Sequence, residues 1–182
     1  MSIIPIPGMK VVGKYGTEGA VWAGKGLGKL LGFGGKGAGK TEDLIDVYRG
    51  TTNYLEKSIY DETGHLLSDA TRAAFMETGN LASAYKATQP IHDQWIKTWY
   101  NNLDDYVQAH GAFGNELSQA FGTRRTLMSV TSDEKIARFF AGPNGTVYHA
   151  QIPRSQLIPQ TLPGSTEREY LIKFGTGGFK PK

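Results

Sequence analysis

Two rhythms divide the chain. From about residue 54 to Gly122 apolar residues recur at helical spacing, whereas from Thr126 onward short runs rich in Val, Ile, Thr and Tyr alternate with turn residues. Ahead of both lies Asp46-Val47-Tyr48-Arg49-Gly50, a short strand by pattern, followed by turn-prone Thr51-Thr52-Asn53. Within the helical stretch, residues 68–77 form a first candidate, ended by Thr78-Gly79-Asn80. A longer helix has Pro90 near its start and sets Trp95, Trp99, Leu103 and Val107 four residues apart in one stripe. That stripe, with Tyr106 beside it, reads as core packing. Residues 115–121 give a further short helix, closed by Gly122.

The C-terminal half predicts strands at 126–130, 146–152 and 169–174, with Asn144-Gly145 as a turn. A helix between the first two opens on a capping box of Thr131 and Glu134. Helices falling between a first strand and a strand-rich C-terminal half predict an α+β fold. The mouth of the 169–174 strand carries Glu167-Arg168-Glu169. Strand side chains alternate, which turns both glutamates to the same face. Two carboxylates on one face repel, and a chain that keeps them together uses them to organise a hydroxyl-rich or cationic substrate.

Composition adds bounds. The 182 residues, 39% hydrophobic and 11% aromatic, suffice for one well-buried globular domain with an appendage. Cysteine is absent, which excludes disulfides and thiolate chemistry. His65, His92, His110 and His149 lie far apart without metal-ligand spacing, so each reads as an ordinary partly exposed histidine and no metal site is expected. The first residues lack the basic and long apolar regions of a Sec signal peptide, and no run reaches the roughly 18 apolar residues of a membrane span. Export would need another apparatus.

The net charge of +3 is unevenly spread. Residues 1–40 hold six lysines against the single acid Glu18, a balance of +5 that leaves −2 for the remainder. Half of the 24 glycines fall in the same stretch, so residues 1–41 read as a Gly/Lys-rich leader or linker and 42–182 as the main domain. The basicity belongs to the leader and says little about what the domain binds. The leader also contains Gly34-Gly35-Lys36-Gly37-Ala38-Gly39-Lys40-Thr41, which satisfies the P-loop pattern. A nucleotide-phosphate site there needs a buried strand before it and a helix after it. Thr41 is placed to cap a helix over residues 42–46, but the preceding Gly28-Lys29-Leu30-Leu31-Gly32-Phe33 is a poor strand. A P-loop nucleotide-binding protein is the alternative reading.

Taken in order, Tyr48-Arg49-Gly50, then Ser129-Val130-Thr131 followed by Ala137-Arg138-Phe139-Phe140, then Glu167-Arg168-Glu169 resemble the Arg-Ser-Glu class of mono-ADP-ribosyltransferases, the cholera-toxin-like branch. The resemblance runs from about Asp46 to Phe179, and the tail looks like that family's last two strands joined by a glycine turn. The middle motif departs from the family's Ser-Thr-Ser by reading Ser-Val-Thr. The resemblance implies two packed, strongly bent sheets around an NAD cleft, flanked by helices, with NAD as substrate. Glu169 would then meet the nicotinamide-ribose 2′-hydroxyl and stabilise a cationic sugar. Arg49 would pair with phosphate oxygens and brace the cleft, Gly50 would offer backbone groups to the carboxamide, and Ser129 would orient Glu169. Thr131 would start the helix beneath, and Glu167 would position or deprotonate the nucleophile. Residues 159–166 occupy the place of the family's target-recognition loop and leave both protein arginines and RNA hydroxyls open. The implied biology is the C-terminal toxin of a bacterial polymorphic effector of Rhs or type VI kind. It would act in a target-cell cytosol and meet a cognate immunity protein, without membrane insertion.

Overall fold

A computed structural model describes residues 42–98, 100, 102–112, 125–162 and 164–182, all within one unit, Lys40–Lys182. The leader, the P-loop pattern, Trp99 and the expected 115–121 helix lie outside the described residues. Strand β1 spans Leu44–Thr51, helix α1 Tyr54–Thr63, strand β2 Leu66–Leu67, helix α2 Asp69–Thr78, helix α3 Leu81–Thr98 and helix α4 Leu103–Ala112. There follow β3 (Leu127–Thr131), α5 (Glu134–Ala141), β4 (Thr146–Pro153), a 3-10 turn, β5 (Ile158–Pro159), β6 (Glu169–Lys173), β7 (Gly175–Thr176) and β8 (Lys180–Pro181). Five helices and antiparallel pairing among the described residues make the unit α+β. None of these helices is long and apolar enough to cross a membrane.

The strands form a six-stranded sheet in the order β5-β6-β3-β1-β4-β8, together with a separate two-stranded sheet of β2 and β7. The two sheets are thus of very unequal size. The long sheet is nearly divided: β1 follows β4 from Leu44 to Thr51, yet meets β3 in register only at Tyr48 opposite Thr131. The tail differs from expectation in a related way. Strand β6 ends at Lys173 because Phe174 takes a left-handed conformation (φ 65°) that turns the chain out of the long sheet to pair as β7 with β2. Strand β8 then returns to the far edge against β4, so β6 and β8 are not neighbours.

Alternation along the central strands sorts the core. Val47, Met128, Val130, Tyr148, Ala150, Ile152 and Ile172 pack on one face, with Leu66 and Phe179. Leu127 and Leu171 point the other way, onto Trp95 of α3 and Tyr106 and Val107 of α4. The described members of the stripe, Trp95, Leu103 and Val107, therefore pack in the core with Tyr106, but not from one helix: α3 spans Leu81–Thr98 and α4 Leu103–Ala112. Pro90 sits in the middle of α3, not near the start of a helix. Helix α5 is capped by Asp133, whose side chain accepts from the Lys135 amide at 2.9 Å, so the Thr131–Glu134 capping box does not form. The helix expected after Thr41 is absent too, since residues 44–46 are the start of β1. Without that helix the phosphate loop loses its anchor, and the P-loop reading is not carried further.

Candidate functional site

Arg49 arrives where β1 and β3 part. Val47 is fully buried, and alternation sends Arg49 and Thr51 to the same face. The guanidinium donates from Nε to Glu56 Oε1 at 2.5 Å and from Nη2 to Glu56 Oε2 at 3.1 Å, a two-pronged match of fork to carboxylate. Its Nη1 donates to the Ser129 carbonyl at 2.8 Å, bridging the gap where the ladder between β1 and β3 has lapsed. The next residue must be small. A Cβ on Gly50 would drive into the Ala137 carbonyl, so glycine here lets α5 lie directly on β1.

Glu56 is the carboxylate that sequence reading missed. It stands in the first turn of α1, after Asn53 has capped the helix by accepting from the Glu56 amide, and its side chain is only 2% exposed. Thr51 Oγ1 donates to it at 3.1 Å, and Arg72 of α2 lies beside it. Arg72 and Arg125 in turn hold Asp69 at 2.5 and 2.7 Å. Arginines and acids thus alternate from β1 through α1 and α2 to the start of β3. Burial raises the Glu56 and Asp69 carboxyls, but the flanking arginines more than offset this and hold both below their ordinary values.

Glu169 opens β6 opposite Thr131, with 11% of its side chain exposed. Burial raises its pKa and nearby Glu167 adds to the rise, while the Ser129 hydroxyl beside it and the Gln160 amide, which donates to Oε2 at 3.4 Å, draw it back. Gln160 Nε2 also donates to the Val107 carbonyl at 2.8 Å, tying this carboxylate to α4. Glu167 itself is exposed and lies outside the strand. Arg168 takes a left-handed conformation (φ 47°), so the two glutamates do not share a face by strand alternation. The turn nevertheless leaves Glu167 near enough to raise the Glu169 pKa. Thr131 fixes that turn: its Oγ1 donates to the Glu167 carbonyl at 2.6 Å and accepts from the Asp133 amide at 3.1 Å, which is why it does not cap α5.

Two histidines depart from expectation. His92 and His110 are both buried, and burial lowers each to about 4. His92 bonds Thr126 Oγ1 at 2.7 Å. His110 faces Glu169, with Nδ1 to Oε1 at 3.9 Å.

Arg49 and Glu169 therefore come together on either side of Ser129, with Thr131 and Glu167 at the adjoining turn and Gly50 under α5. Glu56, Asp69, Arg72, Arg125, His110 and Gln160 complete the surroundings, and none carried a motif that marked it. Gathering one arginine fork, a serine hydroxyl and a carboxylate with a raised pKa suits an anionic ligand whose reacting centre becomes positive. Among the described residues, no three His, Asp or Glu side chains gather to hold a metal. No family model, no curated protein and no solved structure matches the chain.

Proposed function

We propose that the chain is an NAD-dependent mono-ADP-ribosyltransferase that releases nicotinamide and passes ADP-ribose to a macromolecule, by preference a protein arginine. The observation that carries this reading is the placing of Ser129, whose hydroxyl lies beside Glu169 and holds its pKa down while its carbonyl accepts from Arg49 at 2.8 Å. One residue thereby sets the distance between a cation suited to pyrophosphate and an anion suited to a cationic sugar. Arg49 uses three of its five N–H groups in the contacts described, which leaves two for phosphate oxygens. In the reaction the bond from ribose C1′ to nicotinamide breaks and its electron pair leaves with nicotinamide. Ionised Glu169 faces the positive charge that develops on the sugar. A guanidinium nitrogen then bonds to C1′ and gives its proton to Glu167. As a biological setting we favour an exported bacterial effector acting in a target-cell cytosol, with a cognate immunity protein closing the cleft; that setting rests on analogy alone.

Exposed Glu167 acts on the nucleophile and not on the leaving group. Glu167→Gln is therefore expected to lower transfer at least tenfold while leaving NAD hydrolysis within a few-fold of the parent. Parallel loss of both activities would refute this division. The proposal as a whole is tested with labelled NAD and a bacterial lysate, the product being split between protease and ribonuclease. Label released by protease is expected. Label released by ribonuclease would move the acceptor to an RNA hydroxyl, and no labelling together with no nicotinamide release would end the transferase reading.

A further inference from the structure

His110 is the buried group to which this chemistry gives no task. It stands on α4, 4% exposed, and neither ring nitrogen has a hydrogen-bond partner among the described residues. Buried polar atoms are nearly always paired, so an imidazole left without partners 3.9 Å from a carboxylate marks an interaction that is poised to form. The charged groups around the ring are Asp69 of α2, Arg49 of β1, Arg125 ahead of β3 and Glu169 of β6. The Leu127 backbone also faces the ring, without completing a hydrogen bond. Burial and the two arginines keep the imidazole neutral at physiological pH, and a neutral ring has one N–H and one lone pair. Only one tautomer suits its neighbour. A lone pair at Nδ1 would oppose ionised Glu169, whereas an N–H there would be a donor to it.

We propose that His110 is a positioning residue for Glu169: neutral and protonated at Nδ1, it donates to Oε1 and, with Ser129 and Gln160, makes a three-donor cradle that keeps the carboxylate ionised and aimed. A hydrogen bond of ordinary length requires the two atoms to close by about 1 Å, within reach of a small side-chain rotation. Gln160 approaches from just after β5, Ser129 from β3 and His110 from α4, so the three donors restrain the carboxylate from different parts of the chain. The consequence for NAD chemistry rests on the function proposed above. The donor contact itself does not.

Two measurements on the free full-length chain test it. Nitrogen-15 NMR of the unmutated protein at neutral pH should show His110 as the Nδ1–H tautomer, and the Nε2–H tautomer would overturn the proposal. Carbon-13 titration of the Glu169 carboxyl should then show its midpoint raised by about one pH unit in His110→Phe, which removes the donor, and returned to within a few tenths of the parent in His110→Asn, which restores one. An unchanged midpoint in a folded His110→Phe chain, or an equal rise in both variants, would count against the cradle. Should the Phe variant fail to fold, the tautomer and the Asn titration still decide. None of these readouts requires NAD turnover, so a failure here leaves the transferase reading standing, and a chain inert toward NAD leaves the His110 contact standing.

Discussion

Glu169→Gln is expected to lower both NAD hydrolysis and ADP-ribosyl transfer by about a hundredfold or more, equivalent to about 2.7 kcal/mol of lost transition-state stabilisation. The substitution keeps the volume and one acceptor oxygen for Ser129, so it removes the negative charge and little else. Stability should move the other way. Burial raises the Glu169 pKa, so keeping the carboxylate ionised at neutral pH costs the folded chain some stability, and a neutral amide removes that cost. A variant that is folded, no less heat-stable than the parent and nearly inactive is the expected outcome, read by nicotinamide release and a thermal melt. The parent's rate should fall as pH drops through the raised Glu169 pKa, placing the acid limb above the ordinary glutamate value of about 4.3. Near-normal turnover by Glu169→Gln would remove this residue from the centre of the chemistry.

How far the sequence disclosed the site depended on whether each residue's role is set locally or across the fold. Strands β1, β3 and β6 were legible because their β-branched and apolar runs are bounded by turn residues, and helix α2 because Ser68 caps it and Gly79 ends it. Arg49, Ser129 and Glu169 were visible only as an ordered set on those strands. Glu56 was not, because its surroundings, Tyr54-Leu55-Glu56-Lys57, read as an ordinary exposed helix start, and its partners come from β1 and α2. His110 faces a residue far along the chain, and no spacing rule reports such a pair. Local rules failed where tertiary contacts took over a group. Thr131 looked like a cap, but the carbonyl of Glu167 claims its hydroxyl and Asp133 caps the helix in its place. Alternation failed at Arg168 because one left-handed residue resets which way its neighbours point.

The parting of β1 from β3 gives these placements a common reason. If the ladder continued past Tyr48, the Ser129 backbone would pair with β1 and its carbonyl would be unavailable to Arg49. Instead a side chain does the bridging, and the opening between the two strands admits groups from α1, α2 and α4 to the same place.

Glu56→Ala should be the most damaging single change to stability, costing about 3–5 kcal/mol and roughly 10–15 °C of melting temperature. It leaves the buried end of Arg49 without its two-pronged partner and takes from Arg72 the acid 3.6 Å from its Nη1, an atom that already has no hydrogen-bond partner among the described residues. Glu56→Gln keeps the shape and the contact with Thr51 and should lie between Ala and the parent. Linkage supplies an independent check. Arg49 and Arg72 hold the Glu56 carboxyl below its unfolded value despite burial, so its stabilisation is present above about pH 4.3 and is lost as pH falls through the lower folded value. His92 and His110 act earlier: both are lowered to about 4, the unfolded chain takes up their protons from about pH 6.5 downward, and stability declines from there. Acid melts of the parent should therefore show two stages, a histidine stage shared by Glu56→Gln and a carboxylate stage that is smaller in that variant, where Asp69 remains but Glu56 no longer titrates. A variant that tracks the parent at a constant offset down to pH 3 would show that the pairing of Glu56 with Arg49 contributes no stability of its own.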